Sequence, residues 1–259
     1  MWLENRIRDD LKSLEAYQPK DIKSSQAAMH ANELPWDPIQ EYQWQCNRYP
    51  QSQPKELIDK LAEFYGTDSA SMLLSSGSDI SIDLLMRLFV EPYADSIILC
   101  PPTFCMYHVY AQIQGANIIE CNLGKDYELD IELIKKSMDD SVKLLFLCNP
   151  NNPTGNSISL EDINALCAAG KERTLIVVDE AYIEFSDKPS CITLLEKNDN
   201  LVILRTLSKA FGLAGLRLGA TIAHPFLISQ LKAIAAPYSL AQPSIQLALK
   251  ALSKQNWYQ

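Results

Sequence analysis

The chain has 259 residues, of which 47% are hydrophobic and 21% are charged, a balance typical of a globular protein and unlike that of a disordered one. Its formal net charge of -9 at pH 7 argues against nucleic acid or a membrane as a partner, because the overall field would repel an anionic surface. Any anionic ligand therefore needs a local basic site.

Neither a secretion signal nor a membrane span is predicted. The first residues, M-W-L-E-N-R-I-R-D-D-L-K, are charged, and no apolar run approaches the roughly 18 residues that a span needs. Seven cysteines without a C-x-x-C pair fit reduced thiols better than a disulfide framework, so we expect a cytoplasmic protein. Cys100, Cys105 and His108 lack the second ligand cluster of a metal site, and no metal is predicted.

Helices and apolar strands alternate along the chain. The first predicted helix, 55–65, places Leu57, Leu61 and Phe64 at helical spacing and is followed by Gly66, a natural helix stop. Strands that are apolar throughout and separated by helices indicate a mainly parallel sheet covered on both faces, a three-layer α/β/α sandwich. The predicted strands are 97–100, 117–121, 144–148, 175–178 and 201–204. The other predicted helices lie near 80–90, 103–114, 130–138 and 160–169, and a last one lies at Q-P-S-I-Q-L-A-L-K-A-L-S-K-Q, 242–255.

Polar motifs follow three of these strands. They are N-P-N-N-P-T-G at 149–155, D-E-A-Y at 179–182 and R-T-L-S-K at 205–209. Taken singly, each has an ordinary explanation as a tight turn, a helix cap or a solvated turn. In a parallel sheet, however, ligands bind outside the carboxyl ends of the strands, where these motifs would meet. Together, an Asn, an Asp and a Lys at that edge are the parts that hold and use an electron-sink cofactor.

Lys209 is the predicted nucleophile. An amine that attacks an aldehyde must be neutral part of the time, and its apolar neighbours Ala210, Phe211 and Leu213 favour the neutral form. A pyridine ring that accepts electrons needs a protonated nitrogen, which a carboxylate such as Asp179 favours by charge pairing.

The remaining polar residues suit the other parts of such a cofactor. Asn152 and Tyr182 can donate hydrogen bonds to a ring oxygen. A phosphate needs hydroxyls, a guanidinium and the free N–H groups of a helix start, which G-S-D at 77–79 would provide. The side chains predicted for the phosphate are those of Thr206, Ser208 and Arg217.

The chain resembles the pyridoxal-5'-phosphate enzymes of the aspartate aminotransferase superfamily (fold type I), and within it the histidinol-phosphate aminotransferases of histidine biosynthesis. The resemblance runs from Tyr17 nearly to the end of the chain. N-P-T-G and D-x-A-Y mark the superfamily, whereas Y-I-E-F followed by R-T-L-S-K-A-F is closer to the histidinol-phosphate branch. The other matching motifs are A-N-E-L-P at 31–35, N-R-Y-P at 47–50, C-P-P-T-F at 100–104 and L-R-T-L-S-K-A-F-G-L-A-G-L-R-L-G at 204–219.

The resemblance implies pyridoxal 5'-phosphate as cofactor and transfer of the amino group between L-histidinol phosphate and 2-oxoglutarate, giving imidazole-acetol phosphate and L-glutamate. Lys209 would bond to the cofactor and move the proton between the substrate α carbon and the cofactor. Asp179 would pair with the ring nitrogen, and Phe104 would stack on the ring. The implied contacts to the ring oxygen are Asn152 and Tyr182, and those to the phosphate are Ser78, Asp79, Thr206, Ser208 and Arg217.

A homodimer is also implied, because in the family the counterpart of Tyr49 reaches the cofactor phosphate of the neighbouring subunit. Tyr17, Asn32 and Asn152 would lie near the substrate. Two residues depart from the family pattern: Phe104 stands where relatives often carry tyrosine, and Ile80 stands where they usually carry glutamate.

The predicted domains are 1–35 as the first segment of a small domain, 36–235 as a large cofactor-binding domain, and 236–259 as the start of a carboxy-terminal domain. The family chain is about a hundred residues longer, as its two-domain plan requires. The expected missing part carries substrate-binding arginines, so the sequence predicts cofactor binding with poor transamination.

Three other readings stay open on the sequence. A cofactor-binding remnant, or half of a split enzyme, would bind pyridoxal phosphate without turnover. A decarboxylase of threonine phosphate shares the fold but fits the R-T-L-S-K-A-F context less well. A nicotinamide dehydrogenase shares the alternating architecture, but no G-x-G-x-x-G follows the first strand.

Overall fold

A seven-stranded sheet forms the centre of the computed structural model, which describes residues 1–17, 31–39 and 44–254. Its strand order is β1-β7-β6-β5-β4-β2-β3. The pairs from β6 through β5, β4 and β2 to β3 are parallel, whereas β7 runs antiparallel to both β6 and β1. The sheet is therefore mixed but mainly parallel, as predicted. The strands are β1 Met72–Ser75, β2 Ser96–Leu99, β3 Asn117–Glu120, β4 Val142–Cys148, β5 Leu175–Asp179, β6 Leu201–Thr206 and β7 Gly219–Ala223.

Helices cover both faces of this sheet. The five predicted strands and the helices between them are confirmed, with small shifts at their ends, whereas β1, β7, α1 and α7 are not among the predicted elements. The helix α2 ends where predicted, because Gly66 adopts a left-handed φ of 71° and its N–H bonds back to the last turn. The helices are α1 Trp2–Arg6, α2 Lys55–Tyr65, α3 Ser78–Phe89, α4 Met106–Gln114, α5 Ile131–Ser137, α6 Leu160–Ala169, α7 Pro225–Ile234 and α8 Gln242–Leu252.

Alternate side chains of the central strands belong to two separate hydrophobic cores, one on each face of the sheet. In β4, Leu145 and Leu147 join the core beneath α2, α5, α6 and α8, while Leu144 and Phe146 join the core beneath α1, α3, α4 and α7. All four are essentially inaccessible to solvent, and each such side chain stabilises the fold by about 1.5–3 kcal/mol relative to an exposed one. This double burial explains why residues 144–148 of β4 are all apolar, since β4 lies inside the sheet between β5 and β2.

Both ends of the described chain contribute to these cores. Leu3 and Ile7 are buried against the sheet, and α8 places Ile245 and Ala248 in the core beside α2. The division at residues 35 and 235 stays a prediction. Among the described residues, no helix combines the length and the apolar character required to cross a membrane.

Candidate active site

The three polar motifs meet at the carboxyl ends of β4, β5 and β6, as the sequence predicts. These strands are neighbours and run parallel, so the segments that follow them leave the sheet at one edge. A cavity of about 100 Å³ opens there. It is lined by Ser78, Asp79, Phe104, Cys148, Asp179, Ala181, Tyr182, Thr206, Ser208, Lys209 and Arg217.

Asp179 is a buried carboxylate on this cavity. It is the last residue of β5 and only 3% exposed. The Tyr107 hydroxyl donates a hydrogen bond to its Oδ2 at 2.8 Å, and the Ala181 N–H donates to its Oδ1 at 3.1 Å. Burial raises the pKa of Asp179 to about 6, against the lowering effect of these two bonds. A carboxylate in this position is suited to pair with a cation or with a protonated ring nitrogen.

The other end of the cavity carries positively charged groups that favour an anion. The helix α3 begins at Ser78 after Gly77, and no side chain caps its first N–H groups. The Arg217 guanidinium lies against this helix start, with Nη2 at 4.0 Å from the Asp79 carboxylate. Arg217 itself has a left-handed φ of 52°, a costly conformation for a residue with a side chain, which turns it back over Gly77.

The part of Asp79 in the predicted phosphate site stays a prediction, and its backbone and its side chain offer different things to an anion. Its carboxylate would repel a phosphate, so only its backbone N–H, in the first turn of α3, is suited to hold one. Its side chain instead offers a partner to Arg217. Ile80 is 36% exposed and lies in the first turn of α3, which begins at Ser78.

Lys209, Tyr182 and Asn152 lie together. The Lys209 ammonium is 5.4 Å from the centre of the Tyr182 ring, and the Asn152 amide donates to the Tyr182 hydroxyl at 3.4 Å. The prediction that apolar neighbours shield Lys209 from water is wrong. Lys209 is exposed, because Phe211 turns inward and packs its ring against Phe64 at 5.4 Å.

The other predicted cofactor residues flank this group. Phe104 is partly buried and meets the Tyr107 ring edge-on at 5.4 Å. Thr206 ends β6, where its hydroxyl accepts a hydrogen bond from the Ser208 N–H at 3.2 Å. That bond fixes the turn that carries Ser208 and Lys209.

Tyr17, Asn32 and Tyr49 do not line this cavity. Tyr17 and Tyr49 are exposed, and both contact Tyr238, with ring centres at 6.2 Å and 4.5 Å respectively. Asn32 is exposed, with a left-handed φ of 54°. Their contacts with a substrate or a second subunit stay predictions.

Sequence reasoning missed three residues of the site: Cys148, Ala181 and Tyr107. Both Cys148 and Ala181 line the cavity; Cys148 directly precedes the motif at 149–155, and Ala181 lies within the motif D-E-A-Y. Tyr107 lies beneath it, 72 residues from the aspartate it contacts, and its sequence context is only that of a buried helical residue.

A larger cavity, of about 400 Å³, opens on the other side of Cys148. The described residues that line it include Glu128 and Asp162 and no lysine, arginine or histidine. It therefore does not suit an anionic ligand, whereas the smaller cavity offers Lys209, Arg217 and a helix start.

Comparisons with known proteins show the family of this chain. The model of the aminotransferase class I and II family matches residues 11–259. The chain therefore belongs to the class I and II aminotransferases. Histidinol-phosphate aminotransferase 1 of Legionella pneumophila (strain Lens) is 42% identical over 100% of this chain and 71% of its own length. Histidinol-phosphate aminotransferase of Blochmanniella floridana is 43% identical over 96% of this chain and 71% of its own length. Within its class, the chain belongs to the histidinol-phosphate aminotransferase family.

A solved structure shows the same fold. The histidinol-phosphate aminotransferase of Sinorhizobium meliloti, crystallised in complex with pyridoxal-5'-phosphate, superposes with a TM-score of 0.75 at 28% identity. The match covers 82% of this chain and 58% of the Sinorhizobium chain. The chain thus spans less than two thirds of that solved protein.

Proposed function

We propose that this chain binds pyridoxal 5'-phosphate at the cavity beside Lys209 and transfers an amino group between L-histidinol phosphate and 2-oxoglutarate. The observation that carries the proposal is the polarity of the cavity. A buried carboxylate, Asp179, lies at one end, and a helix start with Arg217 lies at the other, with the Lys209 amine on the same cavity.

The residues fit the cofactor chemically. Pyridoxal phosphate, when bound, supplies an electron-accepting ring that acidifies the α C–H bond of an amino acid. Arg217 and the N–H groups that begin α3 offer a guanidinium and a positive helix end to a phosphate. Asp179 offers a negative charge to a protonated ring nitrogen, and Asn152 and Tyr182 offer donors to a ring oxygen.

Lys209 performs the proton transfer in this proposal. Its amine would hold the cofactor at the aldehyde carbon, and in its free form it would move a proton from and to the substrate α carbon. Tyr182, whose ring lies 5.4 Å from the Lys209 nitrogen, orients that amine. Asp179 meanwhile holds the proton on the ring nitrogen by charge pairing.

The substrate assignment rests on the family. Its relatives in Legionella and Blochmanniella are named for histidinol phosphate, and this chain aligns with 71% of each. We also propose Tyr17, Asn32 and Asn152 as substrate contacts, a homodimer in which Tyr49 reaches the partner's cofactor, and a place in the cytoplasm. Because the net charge of the chain is -9, the cofactor phosphate needs the local positive charge of Arg217.

An absorbance titration tests the proposal. The purified chain is titrated with pyridoxal phosphate beside two variants, Lys209→Ala and the matched control Lys171→Ala, which removes an exposed lysine ahead of β5 at the opposite edge of the sheet. We expect a cofactor band that forms with the parent chain and the control and not with Lys209→Ala.

Amino donors are then added to the loaded protein. Conversion of the band by glutamate, and reformation with 2-oxoglutarate, would support transamination, and the same cycle with histidinol phosphate would support the substrate. A Lys209-dependent band that no donor converts would contradict the proposed activity and would match the poor transamination that the sequence predicts. A band that survives Lys209→Ala would contradict the cofactor site, and release of carbon dioxide would point to a decarboxylase.

A further inference from the structure

Tyr107 is a buried tyrosine whose hydroxyl points at the candidate site. It lies in α4 with no exposed surface, and its ring stacks on Phe146 of β4 at 5.1 Å and 21°. Phe104 meets the same ring edge-on at 5.4 Å. Held between two aromatic neighbours, the Tyr107 hydroxyl donates to Asp179 Oδ2 at 2.8 Å in a fixed direction.

The same hydroxyl faces Cys148, which links it to a second part of the site. The Cys148 thiol and the Tyr107 hydroxyl are near enough to influence each other's pKa, and both pKa values are raised chiefly by burial. Cys148 Sγ also accepts from the Asn152 N–H at 3.4 Å. Tyr107 therefore borders both Asp179 and the loop that carries Asn152.

We propose that Tyr107 is a positioning residue for the cofactor: its hydroxyl fixes the Asp179 carboxylate and keeps it ionised, so that this carboxylate can pair with a protonated pyridine nitrogen. The inference rests on the proposed function and deepens it. A tyrosine that only filled the core would be replaceable by phenylalanine at little cost to ligand binding.

The charges around Asp179 explain why one hydroxyl matters. Burial is the largest cause of the rise in the pKa of Asp179 to about 6, and repulsion by Asp79 of α3 and by Glu180 contributes to the same rise. The Tyr107 hydrogen bond is the larger of the two hydrogen-bond effects that oppose this rise, the other being the Ala181 N–H. The other titratable groups that line the same cavity are Cys148 of β4, Tyr182, Lys209 and Arg217.

Removing the Tyr107 hydroxyl should raise the pKa of Asp179. In Tyr107→Phe, the ionised form of Asp179 loses a donor, so its pKa rises above about 6 and the ionised fraction at neutral pH falls. The loss of one hydrogen bond to a charged group corresponds to a change of about tenfold or more in an equilibrium constant. The affinity for pyridoxal phosphate should fall by that factor wherever Asp179 is protonated in the variant.

The test measures this affinity as a function of pH. Parent chain and Tyr107→Phe, both free of cofactor, are titrated with pyridoxal phosphate between about pH 5 and about pH 9, across the titration of the carboxyl. Tyr110→Phe is the matched control, since it makes the same change in the same helix. Thermal melting of each protein checks that it is folded.

We expect the parent-to-variant affinity ratio to be about ten or more at the acid end and to approach one at the alkaline end, where both carboxyls are ionised. Tyr110→Phe should give a ratio near one throughout. A ratio for Tyr107→Phe that is the same at every pH would indicate a packing role only and would overturn the inference.

A second experiment uses the variant Asp179→Asn, since Tyr107 is inferred to act through Asp179. In that background, Tyr107→Phe should produce no pH-dependent change in affinity. A pH-dependent change that persists without the carboxylate would contradict the inference.

If Tyr107→Phe does not fold, incorporation of 3-fluorotyrosine at position 107 provides an alternative test. It keeps the ring shape and makes the hydroxyl a stronger donor, so the affinity should increase at the acid end. An unchanged pH profile would overturn the inference. A parent chain that binds no pyridoxal phosphate at all would instead refute the proposed function.

Discussion

The guanidinium of Arg217 rests on Gly77, so closely that a Cβ atom at that glycine would lie 2.5 Å from Nη2. Gly77 has a φ of 89°, which residues with side chains rarely adopt. The glycine thus serves two purposes, since it allows the turn into α3 and leaves room for the arginine above it.

Gly77→Ala should weaken cofactor binding more than its effect on stability explains. The added methyl group pushes away the flexible end of Arg217, and the backbone strain lowers the free energy of unfolding by about 1–3 kcal/mol. Gly66→Ala is the control, because Gly66 shares a left-handed φ of 71° but nothing lies within 4 Å of its would-be Cβ. Urea unfolding and pyridoxal phosphate titration should separate the two: equal affinities in both variants would count against the phosphate site.

Gly219→Ala should act on stability through a backbone clash. A Cβ at Gly219 would lie 2.6 Å from the carbonyl carbon of Gly77, in main chain that cannot swing aside as a side chain can. Because β7 and the start of α3 must separate to relieve it, we expect the free energy of unfolding to fall by about 1–3 kcal/mol. Gly215→Ala, with nothing within 4 Å, should cost far less in the same urea titration. Similar losses for both would show that the approach of β7 to α3 is not tight.

Asp179→Asn should stabilise the cofactor-free protein at neutral pH while weakening cofactor binding. The folded-state pKa of about 6 lies above the ordinary 3.8, so the folded protein binds more protons than the unfolded chain between those values. Stability from this group therefore falls as pH rises through that window, and the asparagine avoids a loss of about 1–3 kcal/mol.

Urea unfolding of both proteins at neutral pH and near pH 4 measures this difference. The gain should be present at neutral pH and should disappear in acid, where the parent carboxyl is itself protonated. A gain in the free energy of unfolding that is equal at both pH values would show that the effect comes from packing and not from charge.

Glu180→Ala should be strongly destabilising. Glu180 is completely buried, accepts hydrogen bonds from Ser190 Oγ at 2.6 Å and Cys191 N–H at 2.7 Å, and pairs with Arg205 Nε at 3.2 Å. Arg205 Nε makes no well-directed hydrogen bond, so the pairing is chiefly one of charge. Removing one partner of a buried ion pair costs about 3–5 kcal/mol.

Arg205 keeps a second partner, which limits that cost. Its Nη1 donates to Glu184 Oε1 at 2.8 Å, so we expect a loss at the lower end of the range. Glu196→Ala, at an exposed glutamate, is the control in chemical unfolding experiments and should change little. A loss no greater than the control's would mean that the pair contributes nothing to stability.

The sequence predicted the parts of the fold that depend on local pattern. The apolar run of β4 and the stop at Gly66 are set within a few residues of chain, and both are confirmed. The strand β1 lies between a helical turn and a helix and is only four residues long, and β7 is made of small residues in G-A-T-I-A. Neither has a strong pattern of its own, because each is specified by pairing with the other.

The same distinction applies to the site. Lys209, Asp179 and Asn152 lie in motifs that are recognisable in the sequence. These motifs come at the carboxyl ends of adjacent strands, so their convergence follows from the parallel topology. The contact of Tyr107 with Asp179 depends on how α4 lies across the sheet, which spacing does not reveal. Likewise, the exposure of Lys209 depends on which way Phe211 turns, and both directions are compatible with the apolar sequence around it.

The position of β1 has a consequence for the order in which the protein assembles. β2, β4, β5 and β6 can join the sheet with neighbours made shortly before or after them, but β1, at residues 72–75, lies beside β7, at 219–223. Closing so long a loop is slow, because its entropy is lost before the contacts form. During synthesis, the helix start that would receive a phosphate is thus translated early and anchored late, after the lysine has emerged from the ribosome.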